Sequence, residues 1–153
     1  MDRKVFDVLR RSGPAEPIVV SPTDSVADAA KQMIHHDVGS ALVIDRRDLR
    51  GIVARRDVLG LIESEADLAA VMVVEIMTPA PITIEFDTSL RDAIRLMREQ
   101  DISHLPVTEL GRVVSVVSER DIILALAHDL KHENRELKRY IHGPSASAER
   151  SYF

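Results

Sequence analysis

Residues 81–123 read PITIEFDTSLRDAIRLMREQDISHLPVTELGRVVSVVSERDII, and residues 17–59 read PIVVSPTDSVADAAKQMIHHDVGSALVIDRRDLRGIVARRDVL. The two stretches align without a gap at an offset of 64 residues. Eleven of the 43 aligned pairs are identical, where ordinary composition would give roughly three by chance. The chain therefore contains an internal repeat, and we expect one structural unit to occur twice.

Each repeat carries the same order of hydrophobic patterns. Apolar residues at helical spacing predict a helix from Val26 in repeat 1 and from Leu90 in repeat 2. Strands are predicted at 18–20, 41–44 and 49–53 and again at 82–84, 105–108 and 113–117, with a second helix near Arg56 and Arg120. Because one such unit cannot bury its sheet face alone, we expect an α+β fold of two β-α-β-β-α repeats, packed sheet to sheet with pseudo-two-fold symmetry.

A serine precedes an aspartate by three residues at the start of the first helix in each repeat. Ser25 with Asp28, and Ser89 with Asp92, have the spacing of a capping box. In that motif the hydroxyl and the carboxylate each accept a hydrogen bond from a free backbone N–H. We expect both bonds at both helices.

Short apolar lead-ins precede both repeats, and a long helical pattern follows the second. Val5–Leu9 resembles Val73–Met77, and Gly143 with Pro144 should end the last helix. We assign residues 5–62 to repeat 1, 63–72 to a linker, 73–126 to repeat 2, 127–142 to a helical extension and 143–153 to a disordered tail.

The long C-terminal helix carries a heptad pattern. Its seam consists of Ile123, Ala127, Leu130, Asn134, Leu137 and Ile141, spaced 4, 3, 4, 3, 4. A polar residue at an a-type position, here Asn134, sets the register of two-stranded coiled coils. The seam predicts self-association and a homodimer, and the alternative is a helix packed back on its own repeat.

Composition limits the possible partners. The chain has no cysteine, so disulfides, zinc–thiolate sites and cysteine nucleophiles are excluded. Its net charge is -5, whereas duplex binders usually have a basic face, so we expect no nucleic acid partner.

The longest apolar run, Leu68–Val74, is far shorter than the roughly 20 residues of a membrane helix. No apolar stretch follows Met1–Lys4, and we therefore expect a cytoplasmic protein without membrane contact.

Neither catalysis nor metal binding is indicated. The chain has none of the G-x-G-x-x-G, P-loop, G-x-S-x-G or H-E-x-x-H motifs. His128 and His132 have the spacing of zinc ligands, but Asp129 replaces the usual glutamate and no third ligand is near in sequence. We therefore expect a protein that is not an enzyme, with no catalytic residues, no metal and no obligatory cofactor.

The second repeat resembles a CBS domain, the module named after cystathionine beta-synthase. The resemblance is carried by Glu75–Pro79 (EIMTP), Ile102–Val107 (ISHLPV) and Val116–Asp121 (VVSERD), and it extends from about Val5 to Leu126. It implies a stand-alone CBS pair that senses an adenosine-containing ligand in the cleft between its repeats and signals to a partner protein. The ligand would be AMP, ADP or ATP, or else S-adenosylmethionine or NAD. The alternative is a structural dimerisation module with degenerate clefts and no physiological ligand.

The resemblance also implies the site residues. An aspartate at the start of the last helix of each repeat would hold the ribose, assisted by a hydroxyl three residues earlier. This pattern maps onto Asp121 with Ser118, and onto Asp57, where the hydroxyl position is Ala54. Repeat 2 is therefore expected to bind more tightly, although Ser118 and Asp121 also have the spacing of a helix cap. The predicted nucleotide-binding residues are Ile18, Val38, Ser40, Arg55, Arg56, Asp57, Thr78, Ile82, Ile102, His104, Pro106, Ser118, Arg120 and Asp121.

Overall fold

The computed structural model describes residues 2–11 and 16–143. Its helices are α1 (Val5–Arg11), α2 (Val26–His35), α3 (Arg55–Glu63), α4 (Val73–Ile76), α5 (Leu90–Glu99) and α6 (Glu119–His142). Its strands are β1 (Val19–Val20), β2 (Ser40–Asp45), β3 (Asp48–Ala54), β4 (Thr78–Pro79), β5 (Ile84–Glu85), β6 (His104–Glu109) and β7 (Arg112–Ser118). Most of the tail predicted to be disordered, from Pro144 onward, lies outside the described residues.

The strands form two sheets that repeat the same topology. One sheet has the order β1-β2-β3-β4 and the other the order β5-β6-β7. In each, a short first strand runs parallel to a β-hairpin, and the pairing of Ser40 with Ala54 recurs as the pairing of His104 with Ser118. A bulge follows Val43 in one hairpin and Val107 in the other. The predicted α+β fold of two repeats is confirmed.

Two details of the repeat differ from the prediction. The first strands begin later than predicted, at Val19 and Ile84, so Ile18 and Ile82 precede them. The hydroxyls of Ser25 and Ser89 each accept from the N–H three residues on, at 3.1 Å. The reciprocal carboxylate bonds do not form among the described residues, and at α5 the carboxylate of Asp92 instead accepts from Arg95 at 2.7 Å. The full capping box expected at these helices is therefore wrong.

The two lead-in helices cross over, and each completes the core of the other repeat. Val5 and Val8 of α1 are buried in a cluster with the repeat-2 residues Leu90 and Leu105. Backbone hydrogen bonds fix the crossing, since the N–H of Val5 donates to the carbonyl of Thr88 at 2.9 Å. Neither core is complete without a segment from the other half of the chain.

The second crossing mirrors the first. Val73 of α4 is buried with Ile18, Ala29 and Met33 of repeat 1, and its N–H donates to the carbonyl of Asp24 at 2.8 Å. The chain then adds β4 to the edge of the repeat-1 sheet before it enters repeat 2. This edge strand, absent from the sequence prediction, brings residues 78–82 against repeat 1.

Helix α6 begins on the body of the protein and then leaves it. Ile122 is fully buried, and Arg3 donates to the carbonyl of Ala125 at 3.1 Å and to the carboxylate of Asp129 at 2.7 Å. Every residue from 130 to 143 is exposed. The alternative that this part of the helix packs back on its own repeat is therefore wrong. Among the described residues, no helix is both long and apolar enough to cross a bilayer.

Candidate functional site

A cavity of about 500 Å³ opens between the two repeats. Three segments build it: the end of β3 with the start of α3, β4 with the segment that follows it, and the loop that leads into β6. Its volume falls in the range of pockets that hold small organic ligands, about 300–1,000 Å³. Its walls consist of Ile52, Ala54, Arg56, Asp57, Thr78, Ala80, Pro81, Ile82, Gln100, Asp101, Ile102, Ser103 and His104.

Asp57 supplies the carboxylate of this cavity. It lies in the first turn of α3 and is half-buried, and its Oδ2 atom accepts a hydrogen bond from the N–H of Ala54 at 2.7 Å. The bond holds the side chain against the helix start, where the helix dipole favours a negative charge. It engages one carboxylate oxygen, so the other is available to accept from a ligand hydroxyl.

Arg56 spans the gap between the repeats at the cavity wall. Its guanidinium donates to the backbone carbonyl of Asp101 at 3.2 Å and lies 3.6 Å from the Asp101 carboxylate. Both side chains are well exposed, so the ion pair contributes little stability, about 0–1 kcal/mol. A phosphate could therefore replace Asp101 as the partner of Arg56 at small energetic cost, because a guanidinium matches phosphate geometry.

His104 reaches across from repeat 2 to repeat 1. Its Nδ1 shares a hydrogen bond with the hydroxyl of Ser103 at 3.0 Å. A Cβ atom added to Gly39 would lie only 2.7 Å from its Nε2, so the imidazole packs directly on the Gly39 backbone. Burial lowers the pKa of His104 below 6.5, the charge of Arg55 lowers it further, and Asp121 acts in the opposite direction. The ring is therefore mostly neutral near neutral pH.

Ser118 and Asp121 form a complete cap at the start of α6. The Asp121 N–H donates to Ser118 Oγ at 3.1 Å, and the Ser118 N–H donates to Asp121 Oδ2 at 3.3 Å. Both side chains are half-buried. The structural reading of this pair as a cap is thus correct, and it is compatible with ligand binding because a helix N-terminus also attracts anions.

The structure separates the predicted site residues into groups. The cavity brings together six of them, namely Arg56, Asp57, Thr78, Ile82, Ile102 and His104. Arg55 and Val38 line a different, largely apolar cavity between α2 and α3. Ile18, Ser40 and Pro106 are buried, Arg120 is exposed in the first turn of α6, and Ser118 and Asp121 form the cap.

Seven wall residues were not predicted from the sequence. Gln100, Asp101 and Ser103 flank the predicted Ile102 and could have been found from that adjacency alone. Asp101 also matches Asp37 in the repeat alignment, and both have positive φ angles, 52° and 51°. Ala80 and Pro81 depend on the β3–β4 pairing, for which the sequence carried no signal. The other two, Ile52 and Ala54, lie on the strand that this pairing covers.

Among residues 2–11 and 16–143, no three His, Asp or Glu side chains converge as a metal ion would require. His128 and His132 instead lie beside carboxylates. The Nδ1 atom of His128 is 4.0 Å from Oδ1 of Asp129, and the Nδ1 atom of His132 is 4.0 Å from Oε1 of Glu136.

The chain belongs to the CBS domain family. The family model for the CBS domain matches residues 5–64 and again residues 73–128. Each match spans one lead-in helix and one repeat. The resemblance inferred from the sequence is therefore confirmed.

Individual relatives extend this result. The mitochondrial CBS domain-containing protein CBSX3 of Arabidopsis thaliana is 30% identical over 148 residues, which cover 91% of this chain and 72% of that protein. The inosine-5'-monophosphate dehydrogenase of Korarchaeum cryptofilum is 34% identical over 78% of this chain, but the match spans only 24% of that enzyme.

Solved structures of CBS proteins superpose on this chain. The CBS domain protein PAE2072 from Pyrobaculum aerophilum, complexed with AMP, has a TM-score of 0.70 and 26% identity, covering 82% of this chain and 99% of that chain. The CBS domain pair of protein MJ0100, in complex with 5-methylthioadenosine and S-adenosyl-L-methionine, has a TM-score of 0.74 and 27% identity, covering 84% and 99%. The similar structures thus include complexes with adenosine derivatives.

Proposed function

We propose that this protein is a non-catalytic regulatory module that binds an adenosine-containing ligand in the cavity between its repeats. The observation that carries the proposal is the placement of Asp57, Arg56, Ile82 and Ile102 around one cavity lined by both repeats. Complexes of similar CBS proteins with AMP, 5-methylthioadenosine and S-adenosylmethionine support the ligand class.

Each part of the ligand has a partner of matching chemistry. The side chains of Ile82 and Ile102 offer apolar surfaces for the adenine ring. Asp57 would accept from the ribose hydroxyls through its second oxygen, and a hydrogen bond to a charged group contributes about 1.5–3 kcal/mol. Arg56 would leave Asp101 and bind a phosphate, which makes nucleotides better ligands than adenosine itself.

A second binding position remains at Ser118 and Asp121, with Arg120 beside them. The sequence favours this pair because repeat 1 lacks the hydroxyl at Ala54. The geometry favours Asp57, because that carboxylate lies in the cavity that both repeats line. We therefore propose Asp57 as the principal ribose contact and Asp121 as the second candidate.

Ligand binding would change the relative position of the repeats. The only cross-repeat bond among the described side chains of the cavity wall is the Arg56–Asp101 contact, and a bound phosphate would compete for it. The altered packing would signal to a partner protein. A homodimer and a cytoplasmic location complete the proposal.

A thermal-shift series tests the ligand class. AMP, ADP, ATP, S-adenosylmethionine and NAD should be compared, and a true ligand at 100 times its Kd should stabilise the fold by about 2.7 kcal/mol. Adenosine is the control for the phosphate contact, and Arg56→Gln should reduce the preference for nucleotides over adenosine. If none of these compounds raises the unfolding temperature, the alternative of a structural module with degenerate clefts is the better account.

A further inference from the structure

Helix α6 carries an apolar stripe along one side, which continues into its exposed half. Ile123, Leu130, Leu137 and Ile141 are 45%, 68%, 61% and 72% exposed. The contacts of α6 with the body lie on other sides of the helix, at Ile122, Ala125, Leu126 and Asp129. The stripe is therefore free to meet another surface without disturbing the fold of the chain.

The heptad positions of this stripe match those of a two-stranded coiled coil. Ile123, Leu130 and Leu137 occupy d, while Ala127, Asn134 and Ile141 occupy a. In the exposed part of the helix the d residues, Leu130 and Leu137, are leucines and Ile141 at a is β-branched, a combination that favours two strands, and a single asparagine at a fixes their register. The sequence of α6 is thus selective for a pair of helices with the Asn134 side chains facing each other.

Charges beside the stripe specify the direction of the pair. Glu133 occupies a g position, and Lys131 and Lys138 occupy e positions. In a parallel pair, a g residue meets the e residue five positions on in the partner, so Glu133 of each helix meets Lys138 of the other. In an antiparallel pair the e positions face each other, which would place Lys131 against Lys138. Only the parallel arrangement pairs opposite charges.

We propose that α6 pairs with α6 of a second copy of this chain as a parallel, in-register two-stranded coiled coil. The two-fold axis runs along the pair, which makes the interface isologous. The body of each copy lies to the side of its helix, on the face of Ile122 and Asp129. The interface does not use the nucleotide cavity, so it forms with or without ligand.

The free part of the interface is short. Residues 130–142 extend roughly 20 Å at 1.5 Å per residue. Helices of this length are marginal in isolation, and the folded body holds the first turns of α6 and so nucleates the rest. The coiled coil therefore forms a reversible dimer rather than an obligate one.

The first test removes one apolar layer. Leu137→Gln acts at a d position, and Arg139→Gln is the matched control at an outward f position. Both residues are exposed and both replacements favour helix, so the fold of the monomer is kept. Sedimentation equilibrium should show a dimer dissociation constant raised on the order of 100-fold by Leu137→Gln and unchanged by Arg139→Gln. If Leu137→Gln dimerises as well as the unaltered chain, the coiled coil is excluded.

The second test reads the direction of the pair. Glu133→Lys or Lys138→Glu alone should weaken the dimer by roughly 5- to 30-fold at low salt, because each creates two like-charge contacts. The double variant should return to the affinity of the unaltered chain. Residues 133 and 138 are not neighbours on one helix, so recovery cannot arise within a chain. If the double variant is as weak as the single variants, the parallel register is wrong. If either test contradicts the coiled coil, the proposal that Asp57 binds a nucleotide still stands, because no residue of α6 lines that cavity.

Discussion

Replacing Gly51 by alanine tests the crossing that builds the cavity. Gly51 lies in the middle of β3, buried, opposite Pro79 of β4. An added Cβ would lie 2.5 Å from Sδ of Met77 and 2.8 Å from the backbone carbonyl oxygen of Thr78. The methionine side chain is flexible and can move aside. The Thr78 carbonyl cannot move without shifting β4, so the variant must displace the crossing segment.

The displacement should be visible in both stability and binding. Overpacking of this kind costs about 1–3 kcal/mol, and we expect that loss in the free energy of unfolding measured by urea denaturation. Because Thr78, Ala80 and Ile82 follow directly and line the cavity, nucleotide affinity should fall as well.

Gly60 provides a matched control in the same protein. It lies exposed inside α3, and an added Cβ would meet no atom within 4 Å. Gly60→Ala should therefore stabilise the fold by about 0.5–1 kcal/mol, since glycine is a poor residue in a helix interior. If Gly51→Ala is as stable as the unaltered chain, β4 does not lie against β3 as described, and the account of the cavity fails.

Two further predictions concern the pKa of His104 and the second half of α6. The folded protein holds the pKa of His104 below 6.5, so the unfolded chain binds the proton first, and stability is lost as the pH falls from 6.5 toward the lower, folded value. His104→Asn should reduce the stability difference between about pH 7.5 and about pH 5.5 in urea titrations, and an unaltered difference would show that the ring is not buried as described. Truncation after His128 should weaken dimerisation, because it removes Leu130 and Leu137 of the coiled coil, and should leave the calorimetric nucleotide Kd unchanged, because no residue of α6 lines the cavity; a Kd shifted by roughly 5-fold or more would show instead that dimerisation and binding are coupled.

The sequence predicted those features whose signal is local. The apolar spacing from Val26 and Leu90 and the short apolar runs of the strands each depend only on residues within one element. The helices and strands of both repeats are therefore present as predicted. The order of the elements followed from the alignment of the repeats. The starts of α3 and α6 were placed within one residue, at Arg55 and Glu119.

The crossing of the lead-ins could not be predicted in the same way. Val5 and Val73 have similar surroundings in the sequence, and nothing local says which repeat each will cover. Only the fold shows that each packs on the repeat other than its own. The β3–β4 pairing follows from this crossing, which is why Ala80 and Pro81 were missing from the predicted site.

The position of the cavity also depends on the fold. Ser118 with Asp121 is the fuller motif in the sequence, yet the carboxylate in the cavity that both repeats line is Asp57, which has alanine in place of the serine. A complete Ser-x-x-Asp motif indicates where a helix begins, but it does not indicate whether a cavity lies beside that helix. The volume left for a ligand depends on which residues of the opposite repeat face that helix start, and at α3 these are residues 100–104.

Calorimetric titration of AMP into the unaltered chain, Asp57→Asn and Asp121→Asn tests the central proposal most directly. Asparagine keeps an acceptor for the N–H that each aspartate caps, so the helix starts are retained. We expect the unaltered chain to bind AMP, Asp57→Asn to bind roughly 10- to 150-fold more weakly through loss of a charged hydrogen bond, and Asp121→Asn to keep most of the affinity of the Asp57 cavity. Binding that survives in Asp57→Asn and disappears in Asp121→Asn would place the principal site at the Ser118 cap, and an unaltered chain that takes up no AMP at all would contradict nucleotide binding by this protein.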